Sequence, residues 1–126
     1  MEDNRELFDE LNGSSDLFKG LSAGADVLVV VGTIQDGKVE TIALSCTAAN
    51  WFRVGVRELD SPAGTAIDTL LGPLRHNGDG LLYIEENFKD PIFSYGANKE
   101  VVIQNIELID SDVEIAASMK VWERRA

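Results

Sequence analysis

Residues 26–34, DVLVVVGTI, and the turn that follows them decide how the fold is predicted. The run is rich in β-branched residues and leads into Gln35-Asp36-Gly37-Lys38, where Asp-Gly is a strong signal for a two-residue hairpin turn. Residues 38–47 then alternate between apolar and small or polar side chains, which is typical of a strand with one buried face. The apolar members of that face are Ile42, Leu44 and Cys46. The pattern predicts a long β-hairpin.

Further strands are predicted by alternation and by short β-branched runs. They cover residues 52–57, 81–85, 92–95, 99–109 and 113–122. The last two flank Asp110-Ser111-Asp112 and predict a second long hairpin. The parity of the apolar positions shifts near Asn50 and at Gln104-Asn105. The first shift predicts either one long bent strand or two strands with a β-bulge near Asn50, and Gln104-Asn105 is a second candidate for a bulge.

One helix is predicted in the middle of the chain, from about residue 62 to residue 72. Asp60-Ser61-Pro62 has a capping residue followed by proline at a first-turn position, and Gly72-Pro73 should end the helix. The apolar residues between these signals fall on one helical stripe: Ala63, Ala66, Ile67, Leu70, Leu71 and Leu74. The predicted fold class is therefore α+β: a mostly antiparallel sandwich or partly open barrel with long hairpins, packed by one central amphipathic helix, plus an N-terminal arm.

Residues 1–24 form that arm, and residues 25–126 form a single α+β domain. The arm carries the pattern LFxxL twice, ten residues apart, separated by Asn12-Gly13-Ser14-Ser15. Two short amphipathic helical turns are expected, and such turns are stable only when packed on something. They could pack on their own domain or on a neighbouring subunit. The predicted interface residues are Leu7, Phe8, Leu11, Leu17, Phe18 and Leu21.

Composition limits the classes of protein that remain. The 126 residues carry 11 Lys and Arg against 22 Asp and Glu, a net charge of −11, which argues against wrapping a nucleic acid. No apolar run approaches the ~20 residues of a membrane-spanning helix. The acidic start lacks the features of a signal peptide, so a cytoplasmic protein with no membrane partner is expected.

No constellation of residues for catalysis, metal binding or cofactor binding is evident. The chain has one cysteine and one histidine, which excludes multi-cysteine zinc sites and multi-histidine metal sites within one chain. Cys46 is expected to be a small buried residue, and His76 a solvated residue of a turn. The sequence therefore predicts no catalytic, cofactor or metal site, and a protein that is not an enzyme.

An N-terminal arm, long antiparallel hairpins, one central amphipathic helix and a closing hairpin resemble the tail-tube and tail-terminator proteins of bacteriophages. The resemblance covers residues 26–124 by the order of elements. It implies a structural protein of the phage tail or neck, located in the virion, that forms a homo-oligomeric ring or tube. Its partners would be other copies of the chain and adjacent assembly proteins. DNA would at most pass through the channel without specific binding.

An acidic channel wall would suit such a ring, because carboxylates repel phosphates and let DNA slide. Three glutamates at predicted solvent-facing positions are the candidates for the lumen: Glu40, Glu107 and Glu114.

Two other classes of protein stay open. Residues 29–49, with the Asp-Gly turn and Thr47-Ala48-Ala49, are similar to the start of a small split-barrel FMN-binding protein. Its phosphate would need convergent basic groups, and the candidates show no recognisable spacing: Arg53, Arg57, Arg75 and Lys99. An acidic inhibitor or immunity protein that blocks a basic partner would also fit the charge.

Overall fold

The protein is a β-sandwich of two antiparallel sheets. The computed structural model describes residues 5–31 and 35–126, in which a 3-10 turn, Arg5–Leu7, precedes ten strands. In chain order the strands are β1 (Phe8–Ser14), β2 (Phe18–Leu21), β3 (Asp26–Val31), β4 (Gly37–Cys46), β5 (Asn50–Glu58), β6 (Asp68–His76), β7 (Leu81–Glu85), β8 (Phe93–Tyr95), β9 (Lys99–Asn105) and β10 (Ile109–Arg124).

The first sheet has the order β1-β10-β4-β7, with β2 also paired to β10 and β8 also paired to β4. The second sheet has the order β3-β9-β5-β6. Alternate residues of both sheets meet in one hydrophobic core between them. Its fully buried members include Ile42, Leu44, Phe52, Val54, Val101, Ile103, Ile115 and Val121.

The predicted hairpin at Asp36-Gly37 is wrong. β3 lies in the second sheet and pairs with β9, whereas β4 lies in the first sheet and pairs with β10, β7 and β8. Residues 32–34 of the predicted first arm lie outside the described residues. Gly37 serves a close approach between strands, since a Cβ there would lie 2.3 Å from the Tyr95 hydroxyl oxygen. The Asp-Gly dipeptide often forms a turn. In this chain its glycine instead occupies a position with no room for a side chain.

The predicted closing hairpin is wrong for the same reason. β9 belongs to the second sheet and β10 to the first, so the chain crosses between sheets at residues 106–108. Asn105 stabilises the crossing, because its Nδ2 donates to the carbonyl oxygens of Ser22 (2.7 Å) and Glu107 (2.6 Å). The parity shift at Gln104-Asn105 marks the end of β9 at this crossing.

The predicted central helix is also wrong, and the fold is nearly all β. Residues 59–67 form a loop and residues 68–76 form β6, which pairs with β5 as a hairpin within the second sheet. Leu71 and Leu74 pack against the core from β6. A single turn does form at the predicted start, where the Thr65 amide donates to the Pro62 carbonyl oxygen at 3.1 Å, but it does not propagate. Within the described residues no helix is long and apolar enough to cross a membrane.

The arm is extended where helical turns were expected. β1 and β2 both run antiparallel to β10 and together follow its edge. In a strand, residues three apart face opposite sides, so Phe8 lies on the outer face while Leu11 packs on the core. In the second copy of LFxxL, Phe18 and Leu21 both pack on the core, because the register of β2 against β10 shifts between them.

Candidate interaction surface

The outer face of the second sheet is closed by the loop 59–67. Val102 lies between the core residues Val101 and Ile103 in β9, so its side chain faces away from the core, yet it is 0% exposed. Gly55 on the same face meets the backbone of Asp68, whose carbonyl oxygen would lie 1.8 Å from a Cβ at position 55. At these two positions the outer face is covered by the chain itself.

A buried arginine holds that loop in place. Arg57 Nη1 and Nη2 donate to the two oxygens of Asp26 at 3.0 and 2.9 Å, and Nε donates to Glu100 at 2.7 Å. The Thr65 carbonyl oxygen accepts two further hydrogen bonds, one from Arg57 Nη1 at 2.9 Å and one from Gln104 Nε2 at 2.8 Å. The network joins β3, β5 and β9 to the loop.

Two backbone amides complete this network. The Asp60 amide donates to Glu100 at 2.9 Å, and the Gly64 amide donates to Asp26 at 3.0 Å. Burial alone would raise the pKa of Asp26, but hydrogen bonds from Arg57, Gln104 and Gly64 outweigh it and hold that pKa below its usual range. The carboxylates are engaged in holding the loop, so we assign this cluster to the fold.

The first sheet carries a second hydrophobic cluster on its outer face. Phe8 from β1, Trp122 from β10 and Phe88 from the loop between β7 and β8 are all buried there. The Phe88 ring packs edge-on against Phe8, with centroids 4.9 Å apart, and against Trp122, with centroids 5.4 Å apart. The cluster fixes the arm, the loop and the end of β10 to one another.

Cationic side chains surround these rings. Lys38 Nζ lies 4.2 Å from the Phe88 centroid and donates to the Phe88 carbonyl oxygen at 3.2 Å. Arg124 lies 4.7 Å from the centroid of Phe8, and Lys120 lies 5.3 Å from that of Trp122. With the rings already packed together, this end of the face is filled by the chain's own residues.

The other end of the same face is open. β4 and β10 present a flat strip of small side chains there: Ala43, Ser45, Ala116 and Ser118. β7 borders the strip with two large exposed residues, Leu81 at 61% and Tyr83 at 53% exposed. β7 pairs only with β4, so within the described chain its second edge is unpaired. We define Ala43, Ser45, Ala116, Ser118, Leu81 and Tyr83 as the open patch.

The predicted interface residues of the arm divide into two groups. Phe8 is buried in the aromatic cluster, and Leu11, Phe18 and Leu21 pack on the core of their own chain. Leu7 and Leu17 are exposed, at 47% and 59%. A role for these six residues between subunits stays a prediction.

The predicted lumen residues lie at different places. Glu40 is the extra residue of a bulge in β4, accepts a hydrogen bond from Trp122 Nε1 and lies 3.8 Å from Lys120 Nζ. Glu114 is exposed on the same outer face, where it pairs in register with Lys19 of β2. Glu107 is exposed in the crossing between β9 and β10. The structure brings Glu40 and Glu114 to one face and leaves Glu107 apart.

Sequence reasoning missed several residues that organise this surface. Phe88 stands in a polar stretch, and nothing local indicates that it fills a cluster formed by both ends of the chain. His76 was predicted to be solvated but is 2% exposed, so that prediction is wrong. The placement of Arg53 and Arg57 on one strand face was visible in the alternation of β5, but their partners were not.

A scan against models of known protein families finds no match for this chain, and a search of curated proteins finds no significantly similar sequence.

Proposed function

We propose that this chain is a non-enzymatic structural subunit of a homo-oligomeric ring or tube, of the kind found as phage tail terminators, tail tubes or neck components. The observation that carries the proposal is the open patch on the outer face of the first sheet. A surface of small and large apolar side chains, with two serines among them, beside an unpaired strand edge is typical of a protein contact.

The shape of the patch favours close contact between copies. Small residues on β4 and β10 allow another backbone to approach, and Leu81 and Tyr83 supply apolar area at the border. The Tyr83 hydroxyl already donates to Glu85 at 3.0 Å, so the ring can be covered without losing a polar partner.

The edges of the two sheets differ in how they are protected. β6, at one edge of the second sheet, contains Pro73, which has no N–H to offer another strand. β1, at the far edge of the first sheet, carries Asp9 and Glu10, which pair with Arg125 and Lys120. β7 has no proline or lysine, and its edge is open to a further strand. A contact through β7 therefore explains the exposure of two large residues, Leu81 and Tyr83, on its outer face.

Charge substitutions in the patch test the proposal. Leu81→Lys and Tyr83→Lys should each break the assembly into smaller species, because a charged side chain cannot be buried unpaired in a contact. Leu70→Lys is the matched control: Leu70 is 46% exposed, but on β6 of the other sheet, and its replacement should leave the assembly intact. Assemblies of unchanged mass in both patch variants would contradict a contact through this surface.

A further inference from the structure

His76 closes the turn between β6 and β7 with both ring nitrogens. The Gly78 amide donates to Nδ1 at 2.9 Å, and Nε2 lies 3.1 Å from the Gly80 carbonyl oxygen. An amide N–H can only donate, so Nδ1 is the unprotonated nitrogen and Nε2–H donates to Gly80. The unprotonated Nδ1 of this buried ring is therefore a base in hydrogen-bond contact with the peptide nitrogen of Gly78.

That nitrogen belongs to an Asn-Gly pair. The peptide nitrogen after an asparagine can attack the side-chain amide carbon, and glycine places no side chain in its way. The turn requires glycine here, since φ is +90° and a Cβ would lie 2.7 Å from the Ala49 nitrogen. Asn77 is exposed, and its Oδ1 accepts a hydrogen bond from the Asp79 amide at 3.0 Å, which stabilises negative charge developing on that oxygen.

We propose that Asn77-Gly78 is a self-modification site at which His76 acts as general base for deamidation. Gly78 N forms a bond to Asn77 Cγ and gives its proton to His76 Nδ1. The bond from Cγ to Nδ2 then breaks, and the imidazolium returns the proton to the leaving nitrogen, which departs as ammonia. Water opens the resulting succinimide to aspartate or isoaspartate. One water is consumed, one ammonia is released, and no oxidant or reductant is needed.

Deamidation of Asn77 would change the charge and the backbone of the turn that leads into β7. The turn borders a cavity of about 160 Å³ whose charged lining residues are Arg75 and Asp79, and it leads directly into Leu81 of β7. Deamidation adds one carboxylate beside these two charges, and isoaspartate also lengthens the backbone of the turn.

The chain contains its own control. Asn12-Gly13 is a second Asn-Gly pair, but it lies within β1, and His76 is the one histidine of the sequence. The folded protein would be kept at neutral pH while peptide mapping by mass spectrometry follows both sites. Asn77 should convert about 100-fold faster than Asn12, and His76→Gln should slow Asn77 about 100-fold without changing Asn12, the scale of one general base.

A second comparison needs no variant. In wild-type protein unfolded in urea, His76 is no longer held against Gly78, so Asn77 should convert more slowly than in the folded protein. Faster conversion in the unfolded chain would show that the turn protects Asn77 and would overturn the proposal. Equal or faster conversion in folded His76→Gln would do the same. If His76→Gln does not fold, the folded and unfolded wild-type protein decide the question.

Discussion

Arg57 binds both carboxylate oxygens of Asp26: its Nη1 donates to Oδ1 at 3.0 Å and its Nη2 donates to Oδ2 at 2.9 Å. The pair links β5 to β3 across the second sheet while Nε of the same guanidinium binds Glu100. Replacing Arg57 by Met would leave two carboxylates without their cation in a site where Arg57 and Glu100 side chains are each 4% exposed. We expect a loss of about 3–5 kcal/mol in the free energy of unfolding, measured by urea denaturation.

Lys99→Met is the matched control for Arg57→Met. Lys99 also pairs with a glutamate, Glu58, at 2.8 Å, but that carboxylate is 74% exposed. Exposed ion pairs contribute little to stability, so the control should unfold at nearly the wild-type urea concentration. Similar losses in both variants would contradict the special position of Arg57.

Stability should fall in acid because of Asp26. Its pKa is lowered in the folded protein, so the ionised carboxylate contributes stability that is fully present above the ordinary aspartate pKa of about 3.9. That contribution is lost as the pH falls through the lower, folded value. The free energy of unfolding should therefore decline below about pH 4, and Asp26→Asn should show a shallower decline in the same range. Parallel pH profiles for the two proteins would rule Asp26 out as a source of the acid sensitivity.

Phe88 should be essential to the outer face of the first sheet. It is 0% exposed, and its removal leaves a cavity between Phe8 and Trp122. Phe88→Ala should lower the free energy of unfolding by about 3 kcal/mol and speed hydrogen exchange in residues 86–92. Leu108→Ala, at a residue 68% exposed, should change it by less than about 0.5 kcal/mol. Unchanged exchange in Phe88→Ala would show that the ring does not hold the loop.

Much of the strand content could be predicted from alternation, but the pairing of strands could not. Residues 26–31 and 38–46 were correctly predicted to lie in strands, because each run has buried apolar residues. Which sheet a strand joins depends on partners far along the chain, such as β9 for β3 and β10 for β4. A local turn signal carries no information about those partners.

The predicted helix shows how distant groups override a local pattern. The carbonyl oxygen of Thr65, which a helix would use internally, accepts hydrogen bonds from Arg57 and Gln104 instead, and the amide of Gly64 donates to Asp26. Those partners come from three different strands. The spacing of Leu71 and Leu74 fits a helix, but the same residues pack on the core from β6, where a register shift against β5 lies beside Gly72-Pro73.

The open patch was only partly visible in the sequence. A face of small residues in residues 38–47 could be read from alternation, and two of them, Ala43 and Ser45, are part of the patch. Tyr83 and Leu81 join it because β7 pairs with β4 in a register that sets Tyr83 opposite Ala43. That register depends on how the strands of the whole first sheet pair, so it could not be read from the sequence of β7.

The channel prediction can be tested with two of its three glutamates. Glu107 and Glu114 are exposed, so Glu107→Lys and Glu114→Lys should leave the fold intact. If they line a channel, the double variant should retain DNA in a manner that weakens with salt, since new lysines would bind phosphates. Glu40→Lys is a poor probe, because Glu40 binds Trp122 and would disturb the aromatic cluster. If the wild-type and variant assemblies retain equally little DNA, these glutamates do not line a channel.

Light scattering of the wild-type chain, combined with particle images over a range of protein and salt concentrations, tests the proposed assembly most directly. A ring or tube should give a mass that is a fixed multiple of the 13.8 kDa subunit, and images should show a closed outline with a central channel. The same mass should be reached at low and high salt, because apolar contacts through the open patch are not screened by ions. A strict monomer at every concentration and salt condition would contradict the proposed assembly.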